Sequence, residues 1–191
     1  MRGASRSVYF ATKNKAKYLE GARITAAYGV HLRYLPFSKQ EIQAEDLREI
    51  ASFAAMEAAR SKVRTVVAED AGFFVDALKG FPGPYSSYVF KTLGTSGILK
   101  LVENVRNRKA SFLSAVSYCE PNRRPISFTG TVRGLVSKKP KGSGGFGFDP
   151  IFIPSKGDGR TFAEMQIDEK NAFSHRAKAF RRFARWFTSS R

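Results

Sequence analysis

Glu69 and Asp70 stand side by side after the apolar, β-branched run from Thr65 to Ala68, where the pattern predicts the end of a strand. Adjacent carboxylates repel one another, and a hard cation with oxygen ligands relieves that repulsion. A plain turn after a strand is the competing reading. Glu41, in Glu41-Ile42-Gln43, is a candidate third carboxylate or else a surface acid. Thr12-Lys13-Asn14-Lys15-Ala16-Lys17 offers a hydroxyl, an amide and lysines at a strand-to-helix junction, where free backbone N–H groups favour anions. Asn14 on its own could equally be a helix cap. Gly145-Phe146-Gly147-Phe148-Asp149 supplies two rings and an acid on a glycine-rich approach, suited either to stacking on a planar ligand or to the core. Glu169-Lys170-Asn171-Ala172-Phe173-Ser174-His175-Arg176 adds cations and hydrogen-bond donors, or else a solvated pair at a helix start. Phosphate grip, metal carboxylates, stacking rings and base-edge donors together equip a site that cleaves nucleotides.

The elements that must position these groups follow from periodicity. Ser7 to Ala11 reads as a short strand, and a helix is predicted from Asn14 to about Tyr28, closing at Gly29. Asp46 with Glu49 has the spacing of a capping box. Behind it Leu47, Ile50, Ala51, Ala54, Ala55 and Ala58 keep helical spacing. Beyond the carboxylates, Phe73 to Leu78 reads as a second strand. Gly80-Phe81-Pro82-Gly83-Pro84 is a turn, followed by two short helices. Ala110 to Cys119 is a long strand. Pro121-Asn122 links it to a half-buried strand in which Ile126, Phe128, Val132 and Val136 alternate with polar residues. Lys138 to Gly145 is a basic loop, and Asp149 is predicted to be non-helical because Pro150 follows it. Gly142 to Gly147 matches G-x-G-x-x-G, but a Phe-rich stretch with a proline follows, which argues against a dinucleotide fingerprint. Phe173, Ala177, Phe180, Ala184 and Phe187 form one stripe of a final helix, with Arg181, Arg182 and Arg185 off it.

Alternating strands and helices, without repeat or linker, predict a single α/β domain over residues 1–191, with residues 1–6 a flexible basic N-terminus. The 191 residues are 42% apolar and include seventeen Phe, enough for a sizeable core, which excludes a disordered chain. No apolar stretch approaches the ~18 residues of a membrane span, and no signal peptide is indicated. The single cysteine, Cys119, excludes an internal disulfide and reads as a buried thiol. With only His31 and His175 there is no metal-type His/Cys spacing, and no nucleophile elbow is visible. A cytoplasmic protein is expected. The net charge of +17 is uneven: residues 121–141 and 171–191 each hold six Lys/Arg and no acid. A solvated basic surface, a funnel for a triphosphate and a nucleic-acid face all fit that distribution.

In this order the segments resemble the inosine/xanthosine triphosphate pyrophosphatase family, from about Val8 to Phe187. The motifs are Thr12-x-Asn14-x-x-Lys17, Glu41-Ile42-Gln43, Glu69-Asp70-x-Gly72, Gly80 to Ser86, Gly145 to Phe152, Thr161 to Met165, and Glu169-Lys170 to Ser174-His175-Arg176. The resemblance implies a long, mixed, twisted sheet flanked by helices, in two lobes with a central active-site cleft, and commonly a homodimer. It implies Mg²⁺-dependent hydrolysis of non-canonical purine nucleoside triphosphates (ITP, dITP, XTP) to the monophosphate and pyrophosphate. Carried across, Glu41 and Asp70 would hold metal, and Asp70 would act on the attacking water, with Glu69 assisting. Thr12, Asn14 and Lys17, with the backbone of Lys13 and Ala71, would grip the phosphates. Phe146, Gly147, Phe148 and Asp149 would line the base and sugar pocket, while Lys170, His175 and Arg176 would read the purine. No specific nucleic-acid partner is expected. The rivals are a nucleic-acid-binding module and a triphosphatase of the same fold acting on modified pyrimidines.

Overall fold

The computed structural model describes residues 6–40 and 42–190. Glu41 and residues 1–5, most of the expected N-terminal arm, lie outside them, and Arg6 opens the first strand. In chain order the elements are β1 (Arg6–Ala11), α1 (Lys15–Ala26), β2 (Val30–Leu35), α2 (Leu47–Lys62), β3 (Val66–Val75), β4 (Pro82–Gly83) and α3 (Ser86–Leu101). They continue with β5 (Lys109–Cys119), β6 (Ile126–Val136), β7 (Phe152–Pro154), α4 (Ile167–Phe173) and α5 (His175–Ser189). The strands form one mixed sheet in the order β2-β1-β3-β5-β6-β7, with β4 paired to β3. β1 runs parallel to β2 and β3, and β4 and β7 run antiparallel to their neighbours. This is the α/β architecture expected from the sequence.

Several local expectations change. Glu69 and Asp70 do not end a strand; they lie inside β3, which continues to Val75. Neighbours on a strand point to opposite faces, so each carboxylate escapes the other and finds its own cations. The last helix starts at His175, as the Lys170–Arg176 segment suggested; Phe173, placed on its stripe by spacing, belongs instead to α4, which the extended Ser174 (φ −63°, ψ 161°) closes. Asp46 caps α2, but its carboxylate accepts from the Arg48 backbone N and guanidinium rather than sharing a box with Glu49. Asp149 opens a short 3-10 turn, which Pro150 tolerates because the first turn needs no N–H from it. The two short helices predicted after the Pro-rich turn are the halves of α3, broken at Gly94.

The chain divides into two compact units: Met1–Asp70 with Ser114–Gly130 and Arg176–Arg191, and Ala71–Leu113 with Thr131–His175. In the first, α5 buries Phe180, Phe183 and Phe187 among Val8, Phe10, Val116 and Tyr118. Each buried Phe contributes roughly 1.5–3 kcal/mol. Repulsion along the Arg181/Arg182/Arg185 face costs only about 0.2–0.5 kcal/mol per pair, so packing wins. Trp186 lies half-buried at this cluster, its ring 5.1 Å from Tyr118 and 5.3 Å from Phe128. The alanine face of α2 packs on Ala11, Val66, Ala68 and Cys119; burial pushes the Cys119 thiol up. The second unit is built on Phe73, Phe112, Phe148, Phe152 and Phe162. There β4 lies so close to β3 that a methyl at Gly72 would meet Gly83 O at 2.6 Å. Ser86 Oγ fastens the pair, accepting from Phe73 N (2.7 Å) and donating to Gly83 O (2.6 Å). No helix among the described residues is long and apolar enough to cross a membrane.

Candidate active site

The first unit gathers the phosphate-type and carboxylate residues. Asn14 caps α1, accepting from Lys17 N at 3.1 Å, and its own N–H donates to Thr12 Oγ1 at 3.1 Å. The cap leaves the long side chain of Lys17 to reach Glu69, Nζ to Oε2, at 2.8 Å. Lys13 is exposed, its carbonyl accepting from the Tyr34 hydroxyl.

Glu69 is sequestered. Ser114 Oγ donates to its Oε1 at 2.7 Å and Arg176 Nε at 3.2 Å. Arg176 Nη1 in turn holds Glu20 Oε2 at 2.5 Å. Glu20 and Glu69 thus meet Lys17 and Arg176 in one interior network of opposite charges. Burial alone would raise the Glu69 pKa. The charges of Arg176 and Lys17, with hydrogen bonds from Lys17 and Ser114, outweigh it and hold the carboxyl well below the usual range.

Asp70 faces the other way along β3 and has a different partner, Lys39, whose Nζ is 2.5 Å from Oδ1. Lys39 is its only ion-pair partner among the described residues. The loop carrying Lys39 is held on both sides, by Phe37 against the alanine cluster and by Gln40 N donating to Glu57 Oε2 at 3.0 Å.

The second unit holds the aromatic segment. Asp149 Oδ2 accepts from Phe146 N (2.9 Å) and from Lys170 Nζ (2.7 Å), and Asp149 and Lys170 are both buried. Gly145 makes this possible: its φ is +68°, and a methyl there would stand 2.2 Å from Asp149 Oδ2. Gly147 also adopts a positive φ (+63°). Phe146 is half-buried with the Lys170 ammonium 5.1 Å from its ring centre. Phe148 is buried and stacked on Phe73 at 5.1 Å. His175 is buried against Phe112, the rings 4.7 Å apart and 12° from parallel. Ala71 follows Asp70 on β3, partly exposed.

The sequence of this whole framework matches the Ham1 family over residues 8–186. The chain belongs to that family. The dITP/XTP pyrophosphatase of Methanopyrus kandleri is 50% identical over 183 residues, 96% of this chain and 97% of that protein. The dITP/XTP pyrophosphatase of Thermococcus kodakarensis is 48% identical over 177 residues, 93% of this chain and 95% of that one. Among solved structures, the Staphylococcus aureus Ham1 protein has a TM-score of 0.81 at 26% identity, covering 97% of this chain and all of that one. The HAM1 protein from Coxiella burnetii has 0.82 at 27%, with 96% and 99% covered.

Within this Ham1-family chain, three residues that sequence reasoning missed complete the carboxylate network: Glu20, Lys39 and Ser114. Glu20 had a visible signal, an acid three residues after Lys17 on a helix. Ser114 and Lys39 had none beyond position. Arg176, expected as a base-reading donor, has Nη1 and Nε taken by Glu20 and Glu69. The donors Lys170 and His175 are likewise buried within their own unit.

Proposed function

We propose that this protein hydrolyses ITP, dITP and XTP to the monophosphate and pyrophosphate, removing non-canonical purine nucleotides from the pool. Relatives nearly half identical along almost their full length are dITP/XTP pyrophosphatases, which supports that substrate class. The observation that carries the chemistry is the sidedness of β3: Glu69 is consumed by Lys17, Ser114 and Arg176, while among the described residues Asp70 pairs with Lys39 alone.

Mg²⁺ fits that donor set. Among the described residues no three His, Cys, Asp or Glu are grouped as a metal cage. Mg²⁺ characteristically takes one or two carboxylates, completing its shell with water and substrate phosphate oxygens. Asp70 would hold it together with Glu41, which lies outside the described residues. When bound, the ion neutralises phosphate charge and makes a coordinated water more acidic. Asp70 would orient the attacking water toward the α-phosphorus and accept its proton; position does most of the work, since phosphoryl transfer needs little covalent participation.

Lys17 and the Thr12-Lys13-Asn14 turn, with Ala71, bind the phosphates. Phe146 and the Gly147 turn receive the base, shaped from beneath by Asp149 and Phe148. Reading of the 6-keto oxygen by Lys170 and His175 requires these buried side chains to turn toward the base, Lys170 exchanging its Asp149 contact for it. Arg176 anchors the Glu69 network instead of touching the base. The enzyme works in the cytoplasm as a homodimer, for which exposed Tyr88, Phe90, Leu93 and Leu101 on α3 supply apolar surface.

The test is product analysis on ITP, dITP, XTP, GTP and ATP, with and without Mg²⁺. Pyrophosphate is expected from the first three, and Asp70→Asn should lower the rate about a hundredfold or more, in the range of a general base, with folding intact by circular dichroism. Orthophosphate with a diphosphate product would exclude attack at the α-phosphorus.

A further inference from the structure

Lys39 lies outside the family-like motifs, yet its ammonium occupies the carboxylate assigned to the metal. The ammonium lies 2.5 Å from Asp70 Oδ1, and the two side chains are only 24% and 12% exposed. Neither partner drifts freely: Asp70 is fixed within β3, and the Lys39 loop is pinned through Phe37 and Gln40. Glu69, one residue away, cannot take over, since Lys17, Ser114 and Arg176 already hold it.

Resting on the assignment of Asp70 to the metal, we propose that Lys39 is a positioning residue, a tethered cation that holds Asp70 until a divalent ion carried by the triphosphate replaces it. A largely buried carboxylate left without a cation is costly, and Lys39 removes that cost in the metal-free protein. An ammonium and a divalent ion repel each other at one oxygen, so a free ion must expel Lys39 first. The lost ion pair is subtracted from its affinity. An ion already bound to a triphosphate brings anionic oxygens that can receive the displaced ammonium, so exchange costs less. Lysine suits this part, being a compact charge on a flexible stem. The metal therefore enters with the nucleotide rather than ahead of it.

The experiment measures Mn²⁺ binding without nucleotide, by electron paramagnetic resonance of the free ion, in wild type, Lys39→Met, Lys39→Arg and Asp70→Asn. Lys39→Met should bind Mn²⁺ about tenfold more tightly or better, equivalent to ~1.4 kcal/mol. Lys39→Arg, which keeps the charge, should match wild type, and Asp70→Asn should bind none. In thermal melts Lys39→Met should be weakened without metal and recover when Mn²⁺ is added. Should Lys39→Met not fold, Lys39→Gln serves the same purpose. Equal affinity in wild type and the neutral variant, with binding abolished in Asp70→Asn, would overturn the role of Lys39 and leave the metal assignment standing. Undiminished binding in Asp70→Asn would overturn the metal assignment, and the role of Lys39 with it.

Discussion

At the residue scale the decisive contrast is between two neighbouring acids with opposite duties. Glu69 is locked, and its lowered pKa fixes how it contributes to stability with pH. Its folded pKa lies below the ordinary 4.5, so the contribution is fully present above that value and is lost as pH falls through the folded pKa. The stability gap between wild type and Glu69→Gln should hence stay constant from neutral pH down to about 5 and narrow below it; urea unfolding at a series of pH values checks this. An unchanged gap at low pH would mean that Glu69 has the same pKa in the folded and unfolded chains. Arg176 belongs to the same network. Arg176→Ala leaves Glu20 and Glu69 buried with too few cations, a loss of about 3–5 kcal/mol by analogy with broken buried pairs. Activity on ITP, XTP, GTP and ATP should fall together, whereas a base-reading arginine would change their ratios. This role was not readable in the sequence, because Glu20 lies 156 positions away and Glu69 107.

At the scale of elements, what was legible had local causes. The Asn14 cap, the alanine face of α2, the hairpin from β5 to β6 and the Phe180/Ala184/Phe187 stripe all depend on residues within a turn or two of one another. β3 was misread because an acidic pair inside a strand is acceptable only when its counter-ions come from elsewhere, here Lys17, Lys39 and Arg176. Phe173 matched the α5 spacing, yet the extended Ser174 sets it apart and leaves it in α4. Gly72 can now be assigned a cause: the backbone of β4 occupies the space a side chain would need. Gly72→Ala should cost about 1–3 kcal/mol, as overpacking does, by prising Gly83 away from β3. A lowered melting temperature checks it, and an unaltered one would show that β4 yields without penalty.

For the molecule as a whole, the +17 charge is the property the site does not use up. If it gathers triphosphate, kcat/KM should fall several-fold as ionic strength rises from about 0.01 to about 0.15 M, where the Debye length shrinks from about 30 to about 8 Å. Long nucleic acid should bind weakly, lose affinity with salt and leave hydrolysis unaffected; salt-resistant, sequence-selective binding would favour the nucleic-acid rival. The protein's only tryptophan, Trp186, leans on Tyr118 and Phe128 in the first unit, and the second unit has no indole at all. Emission excited at the red edge therefore reports on one unit alone, and its denaturation curve set beside far-ultraviolet ellipticity tells whether the two halves of the chain melt in one step or two.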